Sequence, residues 1–143
     1  MKSTFTRKVK NNKPEKEIER EFMARCWQHG FDLSVVESKA VFSERIGRYV
    51  RGSTNESMTD IVGNWGPIAV YIELKAKGRL STFNNPKNFK QIHFVERKLD
   101  SGAFVMVTDS FDDFLALFNK WVEIENELEK KSLLKDALPK KKI

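Results

Sequence analysis

The chain has 143 residues, 40% of them hydrophobic and 32% charged, which suits one ordinary domain with a buried core and excludes a disordered chain. No apolar run approaches the length that spans a bilayer, and residues 1–13 are basic without the apolar segment of a secretory signal, so no membrane association and a cytoplasmic location, in a bacterial, archaeal or phage-infected host cell, are expected. Lys and Arg total 26 against 20 acidic residues, a formal net charge of +6, so a polyanion is the natural partner.

Part of that excess lies in a basic arm, residues 1–13, and a basic tail, residues 139–143; between them residues 14–138 are expected to form a single domain. Pro14 stands where it can open a helix, and Ile18, Phe22, Met23 and Cys26 follow at helical spacing until Gly30 ends the run. Glu17, Glu19 and Glu21 crowd the early turns, where acids complement the helix dipole. Cys26 is the only cysteine, which rules out an internal disulfide and a cysteine-rich zinc site. Residues 31–42 suggest a strand or short extended stretch. Arg45, Arg48 and Arg51 follow at intervals of three, a spacing equally suited to lining a phosphate-binding groove or to a solvated face.

Asp60-Ile61-Val62-Gly63 begins a short strand, and residues 64–67, Asn-Trp-Gly-Pro, form a hairpin loop. Residues 68–74 are nearly continuous in apolar and β-branched types, as in a strand buried on both faces. A polar loop, 78–90, leads to a helix over about 89–99 closed by Gly102. Residues 103–108 form another buried strand. Ser110, with Asp113 three residues on, caps one long amphipathic helix predicted over 111–138, with Phe114, Phe118, Trp121 and Leu128 along its stripe. The order predicts an α/β fold, a central mixed sheet flanked by helices.

The chemistry-bearing pattern is Asp60, twelve intervening residues, then Glu73-Leu74-Lys75. On a strand Glu73 and Lys75 share a face and Leu74 takes the other. A hairpin makes the strands neighbours and brings Asp60 to that same face. Two carboxylates, joined by the Leu74 carbonyl, are hard oxygen donors suited to Mg2+. Lys75 beside them can orient a water, neutralise charge developing on a phosphate, or act as a base. Singly, an Asp opening a strand is commonly a turn residue and Glu-x-Lys commonly a surface ion pair. Together, behind the buried run Val70-Tyr71-Ile72, they point to a metal site, because a buried carboxylate must be paired or bind a cation.

These residues resemble the PD-(D/E)XK nuclease superfamily through Asp60, Glu73-x-Lys75 and the hairpin between them. Thr59 stands where that superfamily normally has Pro. The resemblance implies a restriction-endonuclease-like core and a Mg2+-dependent DNA endonuclease, with Mn2+ able to substitute. It assigns the metal to Asp60 and Glu73 and catalytic assistance to Lys75. Glu19-Arg20-x-Phe22 followed by Gly30-Phe31 is similar to the opening helix of archaeal-type Holliday-junction resolvases, which implies that Glu19 reaches the metal centre. Residues 73–81 and Gln91 look like the VRR-Nuc branch, in which a Gln after the Glu-x-Lys motif opens a helix and contacts the site; residues 82–90 resemble an insertion in that pattern.

Lys77, Lys87 and Lys90 are the expected phosphate contacts near the site. Trp27 and Trp121, at helical spacing, are expected in the core, and Trp65 in the hairpin turn is a candidate DNA contact. A homodimer is expected, formed through the helix over 111–138 and cutting two strands symmetrically. Compact size suits a phage or mobile-element protein of DNA recombination, repair or host-DNA degradation. The rival reading is a DNA-binding protein that keeps the nuclease fold without turnover.

Overall fold

The computed structural model describes residues 13–36, 40–45, 47–51 and 58–140. Helix α1 (Lys13–Cys26) is followed by strands β1 (Asp32–Val35), β2 (Ala40–Ser43), β3 (Arg48–Arg51), β4 (Ile61–Trp65) and β5 (Ile68–Leu74). Then come α2 (Phe89–Asp100), β6 (Phe104–Thr108), α3 (Phe111–Glu123) and α4 (Glu127–Ala137). Four strands form one mixed sheet in the order β1-β4-β5-β6, while β2 and β3 pair separately. The pairs β1/β4 and β4/β5 are antiparallel and β5/β6 is parallel. Parallel neighbours need a crossover, and α2 supplies it. The chain is thus α/β, with helices flanking a mixed sheet, as the order of elements predicts. The extended stretch expected over 31–42 resolves into two strands belonging to different sheets.

Pro14 lies in the first turn of α1, where its missing N–H costs no hydrogen bond. After Cys26 the helix tightens into a 3₁₀ turn, Trp27–His29, and Gly30 closes it at φ 81°. The tighter winding moves the next position off the apolar face. Trp27, expected in the core, is therefore on the surface at 75% exposure, whereas Phe22 and Cys26 are buried.

The hairpin between β4 and β5 pairs Trp65 with Ile68, so Gly66 and Pro67 alone make the link and the strand runs two residues further than its sequence suggests. Gly66 takes φ 56°, a conformation open to glycine and costly for other residues. Trp65 donates its indole N–H to the His29 carbonyl at 3.1 Å and packs against Phe31 and Phe118. That ring pins the hairpin to the end of α1 and is still 37% exposed.

Gly63 is enclosed. A Cβ there would lie 2.1 Å from the Asp32 carbonyl oxygen and 2.7 Å from the Leu33 Cα, both backbone atoms of the paired strand β1. Gly63→Ala should therefore force β1 away from β4 and destabilise the protein by roughly 2 kcal/mol or more, measured as a lower midpoint in urea. An unchanged midpoint would contradict this packing.

β5 is central in its sheet, and Val70, Ile72 and Leu74 are almost fully buried. Against this face sits an aromatic cluster in which Phe22, Phe31, Phe104, Phe114 and Phe118 meet edge-on or tilted, with centroids about 5 to 6 Å apart. Such geometries favour ring edges against ring faces. Trp121 joins them through Phe104 and Phe118, as its spacing predicts. On α2, Phe94, Val95 and Leu99 are buried, and Gly102 follows at φ 90°.

The long helix predicted over 111–138 is two helices. Ser110 caps α3 by accepting from the Asp113 N–H, as expected. Ile124 then turns extended, and Asn126 caps α4 by accepting from the Glu129 N–H at 3.0 Å. Leu128 consequently stands 74% exposed. The apolar stripe of α3, Phe111, Phe114, Phe118 and Trp121, is buried within the chain's own core. Among the described residues no helix is long and apolar enough to cross a membrane.

Candidate active site

Asp60 lies just before β4, and its carbonyl accepts from the Val36 N–H at 2.7 Å, which ties it to the end of β1. Glu73 and Leu74 end β5, and the antiparallel register that pairs Ile61 with Ile72 sets Asp60 across from Glu73. Each acid is then held by the other segment's backbone. The Asp60 N–H donates to Glu73 Oε1 at 3.1 Å, and the Leu74 N–H donates to Asp60 Oδ2 at 3.0 Å. This reciprocal clamp follows from pairing two strand ends whose side chains reach across the ladder.

Gln91, on the first turn of α2, donates Nε2 to Glu73 Oε1 at 2.8 Å and to the Met58 carbonyl at 3.1 Å. The other carboxylate oxygen, Glu73 Oε2, lies 3.2 Å from Lys75 Nζ. Lys75 is itself anchored, its N–H donating to the Thr108 carbonyl at the end of β6. Glu73 is only 4% exposed and the Lys75 side chain 16%. Three elements thus converge on one carboxylate.

Burial pushes both acids toward the protonated form. Glu73 rises from 4.5 to about 8, chiefly by desolvation and then by repulsion from Asp60; the Lys75 ammonium opposes the rise without reversing it. Asp60 is also raised by desolvation, against the Leu74 hydrogen bond, its contact with Glu73, and the charges of Lys75 and Lys16. Two desolvated carboxyls that repel each other, Glu73 buried and Asp60 half-buried, share a proton or a cation. A divalent cation in the proton's place would leave both ionised, and their oxygens are hard donors of the kind Mg2+ takes. The donor set therefore fits the ion.

A pH dependence follows. Between about pH 4.5 and 8 the folded chain keeps a proton on Glu73 that the unfolded chain has released, so stability from this group is fully present at the acid end and is lost as pH rises. In chelator the thermal midpoint should fall across that window, and Mg2+ should raise it more at pH 8 than at pH 5. Glu73→Gln should flatten the slope. A wild-type midpoint in chelator that falls no more through this window than that of Glu73→Gln would contradict the assignment.

The other predicted positions divide. Glu19 is half-buried on α1, and among the described residues no group of three or more His, Cys, Asp or Glu side chains is placed to hold a metal; Glu19 is therefore not gathered with Asp60 and Glu73. The α1 residue whose charge acts on Asp60 is Lys16, exposed three positions earlier. Sequence reasoning passed over it, since nothing in the run of early charges singles it out. Leu74 supplies its N–H to Asp60, and its carbonyl lies in the same stretch between Glu73 and Lys75.

Lys77, Lys87 and Lys90 are exposed on the segment that follows the site. The Gly78 N–H donates to Asp109 Oδ2 at 3.0 Å, which fastens the turn carrying Lys77 to the end of β6. Arg45 is exposed in the turn between β2 and β3; Arg48 pairs with Ser43 and Arg51 with Ala40.

The sequence matches no model of a known protein family and no curated protein. The functional reading therefore rests on the geometry of this site and on the motif it contains.

Proposed function

We propose that the chain is a Mg2+-dependent DNA endonuclease with a restriction-endonuclease-like core of the PD-(D/E)XK type, and that Mn2+ substitutes. The observation that carries this reading is the pair of buried Glu73 and half-buried Asp60 at adjacent strand ends, clamped by each other's backbone, with Lys75 beside Glu73. Asp60 and Glu73 would hold the ion, which supplies Lewis-acid stabilisation of charge on a phosphodiester. Gln91 keeps Glu73 oriented from α2. Lys75 faces the bound phosphate with a fixed positive charge and three N–H donors, able to align the attacking water and to offset charge building on the phosphoryl oxygens. Water adds to phosphorus, one P–O bond to the sugar breaks, and the ends become a phosphate monoester and a hydroxyl.

The basic residues Lys77, Lys87 and Lys90, with Arg45, Arg48 and Arg51, would contact the phosphates of the DNA, an interaction whose strength falls with salt. A homodimer belongs to the same proposal, because so small a domain presents little surface to a duplex. Its contact would lie outside the buried stripe of α3. Light scattering with and without DNA tests it, and a monomer in both conditions removes it.

The decisive experiment is incubation of purified protein with a four-way junction, a flap, plain duplex and single-stranded DNA, in magnesium or in chelator. Magnesium-dependent cleavage supports the proposal, and the preferred substrate separates a junction resolvase from a general endonuclease. Binding to DNA with no cleavage of any substrate would instead favour a binding protein that keeps the fold without turnover.

A further inference from the structure

Phe89 opens α2, two residues before Gln91, and is 56% exposed. A large aromatic ring left in water on the helix that carries Gln91 calls for an explanation. Among the described residues the exposed tryptophans have one or lie elsewhere: Trp65 is packed on Phe31 and Phe118, and Trp27 follows the far end of α1, eleven residues beyond Lys16.

The ring is presented by a firmly held segment. Before it run two 3₁₀ turns, Leu80–Asn84 and Pro86–Asn88, whose Phe83 is buried in the core. Asn84 donates to the Pro139 carbonyl, Asn88 to the carbonyl of Thr82, and Asn85 accepts from the Lys87 N–H. A ring on such a platform loses little freedom when something stacks on it.

The segment that carries it is basic. From Lys75 to Val95 the sequence has five Lys or Arg residues and no Asp or Glu, and Lys87 and Lys90, on either side of Phe89 in the chain, are both exposed. An exposed aromatic between lysines combines a surface for a base with charges for the phosphates on either side of it. In a duplex the base faces are covered by their neighbours. In a single strand they are open.

We propose that Phe89 stacks an unpaired base of single-stranded nucleic acid, with Lys87 and Lys90 on the adjoining phosphates. Resting on the nuclease reading above, this makes the preferred substrate a single strand or the unpaired part of a branched one.

The test is binding in chelator, at fixed salt, of a fluorescent single-stranded oligothymidylate and of a blunt duplex. Phe89→Ala should bind the single strand roughly tenfold more weakly, about 1.4 kcal/mol, with duplex affinity unchanged. Phe89→Trp should bind the single strand as well as the wild type or better. Unaltered single-strand binding by Phe89→Ala, or an equal loss on the duplex, overturns the proposal. So does a change from dimer to monomer in Phe89→Ala without DNA, which would make the ring a contact between copies of the chain. Cleavage by the wild type in magnesium is scored separately. If the wild type cleaves nothing yet Phe89→Ala selectively loses single-strand binding, the nuclease reading falls and this inference stands. If the wild type cleaves and Phe89→Ala binds as before, the reverse holds.

Discussion

Glu73→Gln is expected to lower magnesium-dependent cleavage by roughly 10³-fold or more, while the protein stays folded. The amide has the shape of the acid and keeps an oxygen to accept from the Asp60 N–H and from Gln91. What disappears is the charge. A cation held by Asp60 alone loses half of its acidic ligation, and several kcal/mol of charge stabilisation correspond to about three powers of ten in rate. Because burial and Asp60 already push Glu73 up to about 8, a neutral group at this position resembles the metal-free state at pH 7. The thermal midpoint in chelator should therefore change little, and the stabilisation conferred by Mg2+ should be lost. Gel cleavage assays and thermal scans of both proteins report the two effects. Cleavage retained at the wild-type rate would end the assignment of Glu73 as a ligand.

The second large effect is expected at Lys75. Lys75→Met removes the ammonium 3.2 Å from Glu73 Oε2 and keeps an unbranched side chain of similar length. The loss should appear in kcat, by roughly 10²- to 10³-fold, as for removal of one preorganised charge-stabilising donor. Affinity for uncleaved DNA in chelator should scarcely change, because one cation among many contributes little to phosphate binding. Lys75→Arg should fail to rescue, since a planar guanidinium needs more room than a side chain 16% exposed is given. This variant also separates the rival reading: a protein that only binds DNA would behave alike with Lys or Met at this position. Equal activity of Lys75→Met and wild type would remove Lys75 from the chemistry.

Much of the site was legible because its determinants are local. Asp60 and the Glu73-x-Lys75 pair sit on strands joined by a tight turn, and a hairpin leaves them few alternatives to being neighbours. Gln91 was legible from the motif although residues 82–90 intervene; those residues fold into two short 3₁₀ turns and deliver it to Glu73. The break between α3 and α4 was also written locally, in Asn126 and Glu129, but apolar residues continue at helical spacing through it, and that stronger pattern concealed the cap. Trp27 was misjudged for a related reason, since helical spacing extends past the point where the winding changes.

By itself the sequence determined the α/β order of elements, the hairpin, and the three charged residues at its ends, because alternation along a strand and the chemistry of a turn depend on neighbours in the chain. The tertiary structure alone decided that the charge of Lys16 acts on Asp60, that Trp65 pins the hairpin to α1, and that Phe89 stands exposed on α2. These depend on how the helices lie against a sheet ordered β1-β4-β5-β6. Packing of that kind is settled by contacts between residues far apart in the chain, and no single stretch of sequence carries it.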